Sequence, residues 1–317
     1  MSVDACRAFL ERTQREPVLG QLLRAVTDPR ELVALGRRHG YSFDLEDIAA
    51  ASSALSAEEA VPRPGPAQGP DLDGDGETTI CHYELDLNEV AGLQPVAAEL
   101  ANLTIKPPTV DLEAFRASLR SDDLEWTSMS PAAPGFERRC EEVASAQAGD
   151  EFSRRAFHLV NLDQHVHHPL YEPYFDAKAR TIAHLERIFG PEIRFSGSMW
   201  YPPFAYRLWH TNETQPGWRM YLIHFDEEIP PSDTRSFFRY MNPKTKQIVT
   251  LRDRPGMLRF FKVEQRKDRL FWHCIVNRAD RNRWAFGFVV PDDWRSRLPV
   301  DASRALTGES PELVKAP

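Results

Sequence analysis

The chain is poor in the features that most often fix a protein's surroundings. It has four cysteines, Cys6, Cys81, Cys140 and Cys274, far apart and without paired spacing. Neither a zinc knuckle nor a disulfide framework is implied, and a reduced cytoplasm is the expected setting. No apolar run approaches the ~18 residues that cross a bilayer, and the opening Met1-Ser-Val-Asp-Ala-Cys-Arg7 lacks the basic-then-apolar layout of a secretory signal. No membrane partner is expected. Positive charge is not in surplus either: 39 Lys and Arg stand against 47 Asp and Glu, a formal net charge of -8. That balance argues against nucleic acid as a partner, because neutralising phosphates needs clustered cations. What remains is 317 residues of ordinary globular composition, 42% hydrophobic and 27% charged, enough for two domains or one with an appendage.

Residues 1 to about 55 read as a small helical domain. Asp28 before Pro29 is a good N-cap and first-turn pair, since proline's missing N–H is not needed there. The helix it starts is expected to end near His39, where Gly40 suits a left-handed residue. Asp44 can cap the next helix, Leu45 to about Leu55. Phe9, Leu10, Leu19, Leu22, Leu23, Val26, Leu32, Val33, Leu35, Phe43 and Ile48 recur at helical intervals and form one candidate core. Residues 56–78 read as a flexible linker, with Val61-Pro-Arg-Pro-Gly-Pro rich in helix breakers. It ends in Asp71-Leu-Asp73-Gly-Asp75-Gly76, which imitates the first half of a calcium loop, but His82 holds the place of the bidentate Glu.

Residues 79–317 form the larger domain. His82 to Asn88 alternates like a strand. Residues 111–190 read mostly as helix, the clearest running from about Tyr174 to Phe189 before Gly190-Pro191 stops it. Strand follows strand thereafter: Ile193–Tyr201, Tyr206–His210, Trp218–Phe225, Ser236–Tyr240, Gln247–Leu251, Met257–Val263, Leu270–Val276 and Trp284–Val290. Short strands in this number, parted by Pro, Asn, Asp and Gly turns, suggest a barrel or double-sheet jelly roll over about 193–292. The fold class is therefore α+β: a jelly-roll core with flanking helices, plus the small N-terminal helical domain.

Two histidines end or begin separate strands, His210 in Arg207-Leu-Trp-His210-Thr-Asn212-Glu213 and His273 in Phe271-Trp-His273. A cation, Arg283, follows in the next strand. Two imidazoles and one carboxylate on one face of a metal, with open positions opposite, are diagnostic of non-haem Fe(II) enzymes that activate dioxygen. An arginine can grip the carboxylate of a cosubstrate with two parallel bonds. The pattern lacks one part, since Asn212 stands where the carboxylate is expected.

Residues from about Ser196 to Val290 resemble the double-stranded β-helix core of 2-oxoglutarate/Fe(II)-dependent oxygenases of the prolyl-hydroxylase-like type. The matching pieces are Met199-Trp-Tyr201-Pro-Pro, His210-Thr-Asn212, Pro255-Gly-Met-Leu-Arg-Phe260-Phe261, His273 and Arg283, in that order. The resemblance implies Fe(II) on His210, His273 and Asn212, and 2-oxoglutarate held by Arg283 with a hydrogen bond from Tyr201. O2 is then the oxidant, with succinate and CO2 leaving as a substrate C–H is hydroxylated. At the departure three alternatives stay open. Asn212 ligates the metal, Glu213 swings in as the third ligand, or the place is left to water or a halide, as in family members that halogenate carbon. The change also lends weight to the alternative of a catalytically inactive, leader-bearing peptide-binding protein.

Other candidates have plain structural readings. His165-Val-His167-His168 looks like a metal box but precedes the strands and is read as structural before substrate entrance. Arg219 is either an anchor for a substrate carboxylate or a partner of Asp226 or Glu227. Trp200, Trp209 and Trp218 are read as aromatic core before substrate floor.

The first 55 residues, notably Phe9-Leu-Glu-Arg, Leu19-Gly-Gln-Leu-Leu, Asp28-Pro-Arg-Glu-Leu and Gly40-Tyr-Ser-Phe-Asp-Leu-Glu-Asp-Ile48, resemble the nif-eleven type of leader peptide. Such leaders precede small core peptides of ribosomal natural products and end at a Gly-Gly-type site, a dipeptide this chain lacks. The resemblance implies a peptide or small amino-acid-like substrate in natural-product biosynthesis. It also implies that the helical domain either recruits maturation partners or occupies a peptide-binding groove.

Overall fold

The computed structural model describes residues 2–58, 81–145 and 156–306. They fall into two compact units, divided between Thr79 and Ile80. The calcium-like Asp71–Gly76 stretch and most of the expected linker lie outside the described residues.

The first unit is four helices, α1 (Val3–Arg15), α2 (Pro17–Ala25), α3 (Pro29–Arg38) and α4 (Leu45–Glu58). Each starts where the sequence supplies a partner for orphan N–H groups or needs none. Ser2 accepts from Ala5 at the head of α1, Pro17 opens α2, and Asp28 and Glu31 form a reciprocal capping box on α3. Helix α3 ends in a Schellman motif: Gly40, at φ 83°, donates to the Arg37 carbonyl, and Tyr41 donates to that of Gly36. Phe9, Leu19, Leu35 and Phe43 are buried together with Cys6, Ala25 and Ala51. The other expected core residues, such as Leu22, Leu32 and Ile48, are half-buried, as a unit with so little interior requires. Gly36 lets Phe43 pack on the backbone, since a Cβ there would lie 2.3 Å from the ring.

The second unit is helical and antiparallel β. Its strands are β1 (His82–Asp86), β2 (Phe157–His158), β3 (Val160–Asn161), β4 (Arg194–Tyr201), β5 (Tyr206–His210), β6 (Gly217–Phe225), β7 (Ser236–Met241), β8 (Ile248–Arg252), β9 (Met257–Val263), β10 (His273–Asn277) and β11 (Arg283–Val289). They pair in two sheets, ordered β1-β9-β6-β11-β4-β3 and β2-β5-β10-β7-β8. Phe238 of β7 meets Phe261 of β9 with ring centroids 5.2 Å apart, so the sheets face one another.

Helices cover the outer faces. Helix α5 (Gln94–Leu103) packs on α9 (Tyr171–Phe189). Phe189 of α9 meets Phe260 of β9, and Lys178 lies 5.0 Å from the centre of the Phe195 ring on β4. The buried Lys178 ammonium is neutralised by Asp163 at 2.9 Å, as a charge without solvent must be. Between α5 and α9 come α6 (Leu112–Ala117), α7 (Ser121–Trp126) and α8 (Phe136–Ser145). Leu124, Trp126, Phe136 and Val143 of the last two form one cluster with Tyr206, Leu208, Trp209, Phe237, Cys274 and Val276 of the second sheet.

Several boundaries differ from expectation. Helix α9 begins at Tyr171, one turn early, and β10 begins at His273 because Lys267–Arg269 forms a 3-10 turn just before it. Strands β2 and β3 are two residues each, too short for any alternation to show. Among the described residues no helix is long and apolar enough to cross a membrane.

Candidate active site

A cavity opens between the two sheets. Met199 and Tyr201 of β4, Tyr221 of β6, Arg259 and Phe261 of β9 and Arg283 of β11 line it from one side. Arg207 of β5, Phe238 of β7, and His273 and Ile275 of β10 line it from the other. Strand β5 reaches it through an irregularity. Arg207 pairs with Ile275 and His210 with His273, so β5 spends three residues where β10 spends two. Plain alternation would turn Arg207 and Trp209 to one face and His210 to the opposite one. The extra residue of this β-bulge puts Arg207 and His210 on the cavity side, while Tyr206, Leu208 and Trp209 join the outer cluster.

The bulge makes His210 and His273 cross-strand partners, with ring centroids 4.0 Å apart. Each imidazole is held the same way. Nδ1 of His210 lies 2.8 Å from the Leu208 carbonyl oxygen, and Nδ1 of His273 lies 2.9 Å from that of Phe271. A carbonyl only accepts, so Nδ1 carries the proton and Nε2 keeps its lone pair. Burial pushes the His273 ring down to about 3. Burial, with Arg207 and His273 nearby, holds His210 well below the ordinary histidine value. Both rings are therefore neutral at pH 7, and His210 Nε2 is buried with no partner. Two neutral imidazoles, each oriented by a backbone carbonyl, form a donor pair suited to a divalent metal.

Asn212 completes the cluster but does not present an oxygen to it. Its Oδ1 accepts from Arg207 Nη2 at 3.0 Å, and its Nδ2 lies 3.4 Å from His273 Nε2. The reversed amide would set its NH2 against a guanidinium that can only donate, so Arg207 dictates the orientation. Asn212 also has φ 56°, a left-handed backbone that asparagine tolerates better than most residues. Glu213 is exposed in the same loop. Among the described residues no three His, Cys, Asp or Glu side chains are grouped to hold a metal ion. The residues present thus fit a metal carried by two histidines, with the remaining ligands coming from Asn212 or from outside the protein.

At Arg283 the sequence missed a partner. Asp253, wholly buried, accepts from Arg283 Nε and from Arg259 Nη1, both at 2.8 Å, and from Ser236 Oγ at 3.1 Å. Arg259 also pairs with Glu84 at 2.8 Å. Burial alone would raise the Asp253 carboxyl, but Arg283 and Arg259 hold it below the usual carboxylate range. Half of the Arg283 fork is therefore spoken for, while its buried Nη1 has no partner. Tyr201 lies under the same guanidinium, 4.7 Å from ring centre to Cζ. The arginine end of the cavity is held rigid by Asp253 and keeps one donor for an anion. Asp253 carried no sequence signal beyond being one acid among many.

Other candidates sit elsewhere. His165 contacts Thr109 through Nδ1, and His168 Nδ1 accepts from the Leu170 N–H ahead of α9. Arg219 donates to the carbonyls of Gln215 and Trp218, whereas Asp226 is held by Lys106 and Asn282 and Glu227 by Arg281. Trp200 stacks on Trp284, Trp209 belongs to the outer cluster, and Trp218 packs on Trp294. None of these lines the cavity.

Comparison with known proteins gives one family match and several distant structural likenesses. No curated protein matches the chain. It is similar to a Pseudomonas putida prolyl-4-hydroxylase at 13% identity and TM-score 0.27, covering 39% of this chain and 66% of that one. A Burkholderia pseudomallei oxidoreductase of the 2OG-Fe(II) oxygenase family is 12% identical over 59% of this chain and 95% of its own, also at TM-score 0.27. The Arabidopsis thaliana dioxygenase for auxin oxidation 1 is 12% identical over 69% and 98%, at TM-score 0.29. Likenesses at such scores carry no argument about fold or chemistry. The family match is to the helical unit, where residues 1–48 fit the Nif11 domain. At its N-terminus, then, the chain carries a Nif11 domain, and the two-histidine cavity belongs to the unit that follows.

Proposed function

We propose that the second unit is an Fe(II)- and 2-oxoglutarate-dependent oxygenase with a jelly-roll core. One observation carries the reading. Two neutral imidazoles face each other, His210 Nε2 without a partner and His273 Nε2 met by the Asn212 amide, beside a cavity that also holds an arginine with an unpartnered Nη1. The strand order supports it, because β4, β5, β6 and β7, and again β9, β10 and β11, alternate between the two sheets, as winding a jelly roll requires.

His210 and His273 are the residues that hold the metal, with Asn212 or Glu213 as the protein's candidates for a third ligand. Arg283 Nη1 takes the far carboxylate of 2-oxoglutarate, steadied by Asp253, and Tyr201 adds a hydrogen bond. The bound metal and cosubstrate supply oxygen activation for hydroxylation of a substrate C–H. The aromatic wall of Phe238 and Phe261 keeps water from the centre and strengthens every polar contact inside. The substrate we propose is a peptide or an amino-acid-like molecule in natural-product biosynthesis. The Nif11 domain would then recruit maturation partners or occupy a peptide-binding groove.

A second reading, a peptide-binding protein without catalysis, is favoured by the Asn212 oxygen being turned to Arg207. The two separate in one experiment. Under anaerobic conditions Fe(II) and 2-oxoglutarate together should give a weak visible charge-transfer band, lost in His210→Ala and in His273→Ala. With oxygen and candidate peptides, succinate should be released and the peptide should gain one oxygen by intact mass. A band that survives both histidine changes sinks the metal assignment. A metal-loaded protein that never releases succinate is the binder.

A further inference from the structure

Three arginines line the cavity, and their counter-ions are unevenly distributed. Arg259 and Arg283 share Asp253, and Arg259 also has Glu84. Arg207 has no carboxylate partner among the described residues. Its Nη2 is spent on the neutral Asn212 oxygen and its Nε is buried without a partner. Its guanidinium lies 5.0 Å from the centre of the Phe157 ring, and the β5 bulge holds it on the same wall as His210. The place where this site lacks a negative charge is thus also where a half-buried positive charge lacks a mate.

We infer that Arg207 makes metal binding conditional on an anion: a carboxylate arriving with a ligand sits between the metal and the Arg207 guanidinium, in place of the missing protein carboxylate. The inference rests on the metal reading above. Without the anion, a divalent cation beside Arg207 meets repulsion that two neutral imidazoles do nothing to offset. With it, the same carboxylate satisfies the metal and Arg207 Nε together. Metal and anion each tighten the other, and by linkage the two effects are equal. The carboxylate belongs either to a 2-oxo acid or to a substrate acid, and both offer the same oxygen pair to Arg207.

The test is calorimetric titration of the full-length protein with Co(II), in buffer alone, with 2-oxoglutarate, and with succinate, which has carboxylates but no keto oxygen. In the wild-type chain 2-oxoglutarate should tighten Co(II) at least tenfold. In Arg207→Gln, Co(II) alone should bind more tightly and the tightening should fall below threefold. Arg207→Lys, which keeps the charge, should retain most of it and guards against a merely misfolded glutamine variant. Tightening by succinate as well assigns the site to carboxylates in general, and tightening by 2-oxoglutarate alone assigns it to 2-oxo acids. Both support the inference. Wild-type Co(II) affinity that ignores both acids, or tightening undiminished in Arg207→Gln, overturns the inference and leaves the metal site standing. Absence of Co(II) binding in every arm overturns the metal reading itself.

Discussion

Replacing Asp253 by asparagine tests the arginine end of the cavity without touching the histidines. The carboxylate is fully buried and receives Arg259 Nη1 and Arg283 Nε at 2.8 Å each, with Ser236 Oγ at 3.1 Å. Each charge pair at such contact contributes about 4 kcal/mol before desolvation, at an effective dielectric of about 20. Asparagine can accept from one arginine but must turn its NH2 to the other, which leaves a buried guanidinium without its mate. Breaking a buried pair in this way costs about 3–5 kcal/mol. For a unit of this size that is a fall in Tm on the order of 10 °C. All seven tryptophans lie in the second unit, so tryptophan emission during urea denaturation reads that unit alone. Glu84→Gln is the matched comparison, because Glu84 is 17% exposed and pairs with Arg259; about 1–2 kcal/mol is expected there. A loss below about 1 kcal/mol in Asp253→Asn would refute the claim that this carboxylate holds the two arginines in place.

Three further outcomes are expected. Stability of the second unit should fall between pH 7 and pH 5, since burial first of all pushes both His82 and His158 down to about 4. The folded values lie below the unfolded value of 6.5, so the unfolded chain takes up protons that the fold excludes; each ring costs about 2 kcal/mol at pH 5. Equal urea midpoints at the two pH values would contradict this. Asn212→Asp should raise Co(II) affinity at least tenfold without any added acid, read by calorimetry, because the third carboxylate then belongs to the protein. Gly36→Ala should destabilise the first unit by about 1–3 kcal/mol, as a Cβ 2.3 Å from the Phe43 ring forces repacking. Faster amide exchange confined to residues 2–58 would show it, and unchanged exchange would count against the packing described.

Much of the secondary structure was legible because local chemistry decides it. Asp28-Pro29 and Gly40 bracket α3 through capping groups that act within a few residues; Pro202-Pro203 and Pro216-Gly217 flank β5, and β9 starts just after Pro255-Gly256, at the expected positions. What escaped depends on distant chain. Asp253 is one acid among many until Arg259 and Arg283, from two different strands, converge on it. Strands β2 and β3 exist only because β5 and β4 offer edges to pair with. The order His210, Asn212, His273, Arg283 could be read from the chain, but the strand alternation that helped to find the strands placed Arg207 and His210 on opposite faces. Only the pairing with β10 shows the extra residue that brings them together.

That extra residue gives strand length an unusual meaning here. The odd count between Arg207 and His210 works as a parity bit written into the chain. With a step of three, regular pairing would put the two side chains on opposite faces, so the bulge keeps the imidazole with the cavity; deleting Leu208 would make the step two, and plain alternation would then hold both on that wall. Loss of one residue here would thus dispense with the bulge while keeping the metal donors gathered, whereas regular pairing at full length would turn the imidazole to the outer cluster.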